Sequence, residues 1–288
     1  MAAPTPVSAY LHSATMVKAG VFLLGRLYPV LAGTDLWVLL VGVTGGVTFV
    51  YGAYLAMLKD DFKGLLAYST ISHLGLITLL FGLGTPLSAV AALFHIINHA
   101  IFKASLFMSA GIIDHECGTR DMRRINGMFM YMPWTATLGI LAAGSMAGVP
   151  LLNGFLSKEM FFAETIGHPL FQDYGIYLLP LFATVASTLS VAYSARFVHD
   201  VFFNGEPIGL PRTPHEPPRW MRLPIEILVA LVLVLGLLPQ LTVGTILTAA
   251  AHSVLPGGVP PFKLAVWHGF NLPHVMSIVA LAGGVLYY

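Results

Sequence analysis

The sequence predicts an all-α polytopic membrane protein of about eight transmembrane helices, one of them broken. Three observations carry that prediction. Of the 288 residues, 57% are hydrophobic and only 9% are charged, against about 25% charged in a soluble domain. The mean hydropathy is +0.80. Apolar runs of about 20 residues, the length a helix needs to cross the hydrocarbon core, recur between short polar breaks such as Lys59-Asp60-Asp61 and Gly84-Thr85-Pro86.

In chain order the expected spans are 7–31, 36–58, 64–83, 88–113, 131–166, 173–203, 223–247 and 264–288. The segment 204–222 holds five prolines and three arginines and reads as an exposed loop. Loops 59–63, 114–130 and 204–222 carry Lys59, Lys63, Arg120, Arg123, Arg124, Arg212, Arg219 and Arg222. The alternate loops carry only Lys263, with Arg26 close by. The positive-inside bias places the first group, and with it both termini, in the cytoplasm. The first span begins at Pro4 without a basic anchor, and the last stops within the apolar run Val285-Leu286-Tyr287-Tyr288, so a fragment of a longer protein is expected.

The fifth segment is too long for one straight crossing, and Gly148-Val149-Pro150-Leu151-Leu152-Asn153-Gly154 interrupts it. Proline removes a backbone donor and clashes with the preceding turn. Opened backbone survives at membrane depth only against protein or a watery cavity, and broken helices of this kind line ion paths. The alternative is an ordinary loop leading to a short surface helix.

Composition excludes several classes. A net charge of +1 offers no footprint for a nucleic acid. The single cysteine, Cys117, excludes an internal disulfide and a cysteine-built cluster. No signal-peptide pattern is present.

Ionisable groups inside the spans need water, a partner or a task, because a charge in mid-bilayer costs about 2.5–3.5 kcal/mol on insertion scales. His95, His99 and Lys103 follow at i, i+4 and i+8, one stripe along one helix face. At about 1.5 Å per residue the stripe runs roughly 12 Å. Imidazole takes up and releases protons near neutral pH, so a file of such groups bridged by water can carry protons. Lys18 lies mid-span, with His12 on another face of the same helix. Lys63 opens the third span, followed by Ser69, Thr70, Ser72 and His73; a lysine there also snorkels to the interface. Lys158 and Glu159 follow the break, Lys158 as a gate or an interfacial anchor, and Glu226 belongs to the interface. His95 and His99 also have metal-pair spacing, so a membrane metalloprotein or haem protein stands as an alternative of another class. Ile96 occupies the place of the glutamate that a hydrolytic zinc motif requires. A purely structural scaffold is a further alternative.

Four ordered stretches carry a resemblance: Pro4 to Gly20 (PTPVSAYLHSATMVKAG), Asp61 to His73 (DFKGLLAYSTISH), His95 to Lys103 (HIINHAIFK) and Ala147 to Glu159 (AGVPLLNGFLSKE). Together they resemble the antiporter-like proteins, which include the A-type component of the multisubunit Na+/H+ antiporters (Mrp type) and the proton-pumping membrane subunits of respiratory complex I. The HSATMVK wording, Gly118-Thr119-Arg120-Asp121 and the stretch from Leu264 to Asn271 look more like the antiporter component. The resemblance implies inverted five-helix repeats, each with a broken helix, around a hydrated axis of lysines and histidines. The chain would hold the second repeat as a proton-channel module over 1–203, a cytoplasmic loop at 204–222, and further, truncated helices over 223–288.

Carried over position by position, His12 and Lys18 match the central relay, Lys63 the helix-opening lysine, His95, His99 and Lys103 the second-half relay, and Lys158 the terminal lysine of the broken helix; His73 joins the path. The family's glutamate–lysine pair would lie upstream. The implied function is exchange of Na+ or another monovalent cation for protons across the bacterial plasma membrane, with other antiporter subunits as partners. It needs no cofactor, resident metal or enzymatic conversion. The alternative within transport is a proton-translocating component of a complex I-type NADH:quinone oxidoreductase.

Overall fold

A computed structural model of the protein describes residues 5–169, 177–267 and 269–288. Pro4 in the first motif, His268 in the stretch Leu264 to Asn271, and residues 170–176, which include the first four residues of the expected sixth span, lie outside the described residues. Described secondary structure is helical apart from one isolated bridge pairing Asp61 with Asp121. Among the described residues, six helices are long and apolar enough to cross a membrane. A broken pair of 15-residue helices and a shorter apolar helix of 16 residues stand at the other two expected spans.

The first span departs from expectation. It is not straight: α1 (Thr5–Ser13) and α2 (Ala19–Leu31) are joined through a 3-10 turn at Met16–Lys18. Ser13 Oγ donates back to Ala9 O at 2.5 Å, and Thr15 Oγ1 to Tyr10 O at 3.2 Å. Hydroxyls that bond the local backbone compete with the helix ladder, and Lys18 is left at the junction. This span is therefore interrupted as well as the fifth. The six-residue separation of His12 and Lys18 no longer follows a single helical surface.

The second span bends through a π-helical turn at Val38–Gly42 into α3 (Val43–Met57). Next come α4 (Phe62–Gly82) and α5 (Pro86–Cys117). Asp61 caps α4 by accepting from the amides of Lys63 at 2.9 Å and Gly64 at 3.3 Å. Thr85 caps α5, Pro86 occupies its first position, and Gly118 ends it in the left-handed region. Between α3 and α4 the backbones touch. A Cβ on Gly75 would lie 2.3 Å from Phe49 N, and one on Gly45 2.3 Å from Leu79 N.

The fifth segment is the broken helix expected, built of α6 (Pro133–Ala147) and α7 (Asn153–Gly167). Its second half is interior, with Asn153, Ser157 and Lys158 all buried, so it is not a surface helix. Gly148 and Leu151 turn the connection at φ 90 and 72, and α8 (Leu178–Val198) follows. The seventh span differs from 223–247. Pro239 starts a new helix, so α9 (Arg219–Leu237) and α10 (Pro239–Val254) meet at Leu238 and consume part of the expected loop. A Cβ on Gly236 would sit 2.2 Å from Leu151 O, so α9 closes over the break. The eighth span is also shorter than 264–288: α11 (Leu272–Tyr287) begins only after Asn271, whose side chain caps it.

The basic loops gather at one end. Phe62 N donates to Arg120 O at 3.1 Å and Met122 N to Asp60 O at 2.8 Å. Arg196 binds Asp60 at 2.9 Å, and Arg212 donates to His115 O at 2.8 Å. Glu216 accepts from the amides of Trp134 and Thr135, neutralising the start of α6. The bond from the Arg123 guanidinium holds the Asp121 carboxyl below its ordinary range. The outer wall is apolar, with Val30 78% and Leu241 80% exposed, as a lipid-facing surface requires.

The α3–α4 contact gives a direct test. In the full-length protein, Gly75→Leu should destabilise by at least about 3 kcal/mol, the upper range for overpacking, because backbone cannot yield. The readout is loss of a monodisperse peak in detergent. Gly20→Ala, with nothing within 4 Å, should leave that peak unchanged.

Candidate proton-path site

α4, α5, α7 and α8 carry their polar side chains toward one another. His73 on α4 and His95 on α5 are both buried, with rings stacked 5.2 Å apart at 19°. His73 Nδ1 and His95 Nε2 are 3.0 Å apart. His95 Nδ1 reaches Ser157 Oγ on α7 at 2.9 Å, and His73 Nε2 reaches the Tyr193 hydroxyl on α8 at 3.2 Å. Tyr193 is 2.9 Å from Ser190 Oγ. Lys158 Nζ donates to Ser190 Oγ at 3.0 Å and to Ala147 O at 2.8 Å. One hydrogen-bonded chain therefore runs Lys158–Ser190–Tyr193–His73–His95–Ser157.

Two further groups border it. The His99 ring centroid lies 5.4 Å from that of His73 and 6.3 Å from that of His95, and neither His99 nitrogen has a hydrogen-bond partner among the described residues. Lys103, one turn further along α5 and fully buried, donates to Ser69 Oγ, to Leu66 O at 3.3 Å and to Met146 Sδ at 3.2 Å. Ser69 and His73 are likewise one turn apart on α4. The step between the Lys103–Ser69 pair and the histidines is thus about 6 Å of helix rise.

The remaining candidates sit apart from that chain in different degrees. Lys18 is buried at the α1–α2 junction and donates to Ile96 O, next to His95 in sequence, at 2.7 Å. It also lines a cavity of about 480 Å³ with Thr15, Arg26 and Ser253. His12 is half-buried and stacks on Phe107 at 5.0 Å, one turn beyond Lys103. Lys63 is at the basic end, in an ion pair with Asp114 at 2.7 Å, about 15 Å of helix rise from His73. Its amine is neither snorkelled nor beside the histidines. Glu164 lies near the opposite end, accepting from Thr85 Oγ1 at 2.7 Å.

The break is held by neutral groups. Asn153 Nδ2 donates to Asn98 Oδ1 at 3.2 Å, Ser145 Oγ donates to Asn153 Oδ1 at 2.5 Å, and Gly154 N donates to Ser145 Oγ at 3.1 Å. Sequence reasoning gives Asn98, Asn153 and Ser157 no part, and it misses Ser145, Ser190 and Tyr193. Ser190 and Tyr193 stand at i, i+3 in an apolar helix, which is the available signal. With both His95 nitrogens engaged, the His95/His99 pair is not disposed as a chelate. Among the described residues no group of three or more His, Cys, Asp or Glu is placed to hold a metal ion.

Residues 1–190 match the family described as NADH:quinone oxidoreductase/Mrp antiporter, TM. The chain belongs to this family. A protein of Rhizobium meliloti described as the probable A/B component of a K(+)/H(+) antiporter is 62% identical over the whole chain, which covers 29% of that protein. The A component of the Na(+)/H(+) antiporter of Alkalihalophilus pseudofirmus is 42% identical, again over the whole chain and 39% of the relative. The chain thus spans between a quarter and two fifths of the length of these relatives. Among solved structures, the Mrp complex from Dietzia sp. matches with a TM-score of 0.88 and 41% identity over 99% of this chain and 30% of that one. Respiratory complex I from Thermus thermophilus, at 23% identity over 77% of this chain and 45% of that one, shares the fold with a TM-score of 0.65. Within the NADH:quinone oxidoreductase/Mrp antiporter family, the chain is therefore more similar to the Mrp side than to the complex I side.

The broken helix gives the site's own test. Asn153→Ala removes one acceptor and one donor from a buried network, and an unsatisfied buried group costs about 1–3 kcal/mol. A lower thermal midpoint of the full-length protein in detergent is expected; an unchanged midpoint would show that Asn98 and Ser145 do not hold the break.

Proposed function

We propose that this chain carries protons along its buried lysines and histidines as part of a monovalent cation/proton antiporter of several subunits in the bacterial plasma membrane. The single observation that carries the reading is the hydrogen-bonded chain from Lys158 to His95, which joins four helices in the interior. In such a chain each histidine donates at one ring nitrogen and accepts at the other, and the lysine ammonium can give up a proton at its head. Lys103 and Lys18 flank it, and Lys63 with Asp114 marks the basic end, which the positive-inside bias puts at the cytoplasm.

Charges in the seam act on one another. In a medium of low effective dielectric, a proton on one amine raises the free energy of a second nearby, so protonation events are coupled along the path. Other antiporter subunits, and the parts of the relatives that this chain does not span, supply the cation side of the exchange. Both of these relatives are named as cation/proton antiporters, one for K+ and one for Na+. The activity is transport, with no chemical conversion of a substrate.

In the full-length protein within its assembled complex, Lys103→Ala and Lys18→Ala should each lower cation/proton exchange in inverted vesicles by about 10²-fold or more while assembly is kept. A variant that retains the normal exchange rate removes its residue from the path.

A further inference from the structure

Ser190 and Tyr193 do not belong to the lysine–histidine set, yet they are the link between Lys158 and the histidines. Both are fully buried on the inner face of α8, and Ser194 Oγ donates to Ser190 O at 2.7 Å. We propose that these two hydroxyls form a conducting bridge through which the protonation of Lys158 sets the tautomer of His73. The inference rests on the proton-carrying reading and assigns two further residues to it.

Donor rules permit the direction the bridge needs. An ammonium has no lone pair, so protonated Lys158 must donate to Ser190. Ser190 then turns its own proton to Tyr193, Tyr193 donates to His73 Nε2, and His73 carries its proton on Nδ1, facing His95 Nε2. His95 in turn holds its proton on Nδ1 toward Ser157.

The transfer balances at each atom. An N–H bond at Lys158 breaks and an O–H forms at Ser190. The original Ser190 proton passes to Tyr193, and the original Tyr193 proton to His73 Nε2. His73 releases its Nδ1 proton to His95 Nε2. At the end Lys158 is a neutral amine, both hydroxyls again hold one proton, His73 is the neutral Nε2–H tautomer, and the charge is on His95. Until the bridge turns back, His73 donates to Tyr193 and a second proton cannot follow.

The test uses the full-length protein in its assembled complex, reconstituted in vesicles. Tyr193→Phe keeps the ring and removes only the hydroxyl. Exchange should fall on the order of tenfold or more with an altered solvent isotope effect. Ser190→Ala should behave alike, while Ser190→Thr, which keeps the hydroxyl, should restore most of the rate. Wild-type exchange and isotope effect in Tyr193→Phe and Ser190→Ala, beside an inactive Lys158→Ala, would overturn the bridge and the route through the two hydroxyls, while keeping Lys158 itself among the proton-carrying residues. Full exchange in Lys158→Ala would overturn both. Should Tyr193→Phe fail to assemble, the Ser190 pair decides alone.

Discussion

Amines and imidazoles are buried in this bundle against carbonyl and hydroxyl oxygen, and the architecture depends on that. Lys158 takes Ala147 O, Lys18 takes Ile96 O, and Lys103 takes Leu66 O with Ser69. A buried charge without a paired counter-charge is expensive, so these groups need ready acceptors. A helix end supplies them, since its last carbonyls have no ladder partner. Ala147 is such an end, because Gly148 and Leu151 turn the chain before α7 resumes. The interruption and the amine therefore depend on each other.

Two rigid helices connect this interior to the basic end. α4 begins with the Asp61 cap and Lys63 and continues to Ser69 and His73. α5 runs from the Thr85 cap past His95, His99 and Lys103 to Asp114. The Lys63–Asp114 ion pair ties the two together at one end, and the His73–His95 bond ties them near the middle. Glycines on α4 lock it against α3 at backbone distance. His73 is thus placed by covalent rise and by a contact that tolerates little slack. α8 faces this pair with Tyr193, and α7 with Ser157.

Much of this is legible in the sequence because membranes punish exceptions. A helix with His95, His99 and Lys103 on one stripe stands out against an apolar background, as does the interruption from Gly148 through Pro150 to Asn153 and Gly154. The kink at Ser13–Lys18 does not stand out. Its cause is hydroxyl competition for the backbone, and serine and threonine also sit in unbroken helices such as α4. Pro239 is visible, but a proline can also be absorbed inside a helix, as Pro224 is in α9. The bridging residues are hidden for another reason. A serine or tyrosine carries no charge to explain, so nothing in its cost marks Ser190 or Tyr193 until the fold places them between Lys158 and His73.

His99 is where the proposed path is most exposed to test. Its two nitrogens are buried without a hydrogen-bond partner among the described residues, and leaving such groups dry costs about 1–3 kcal/mol each. Lys103 stands one turn away on the same helix, but its amine bonds Ser69 and Leu66 and not His99, so a bridging water is what would join the two. A map of the full-length protein in its complex, at a resolution that shows ordered water elsewhere, measures this directly. The account predicts water density joining His99 to the Lys103–Ser69 pair. A dry gap packed by apolar side chains, in a map that resolves water in other places, would contradict it.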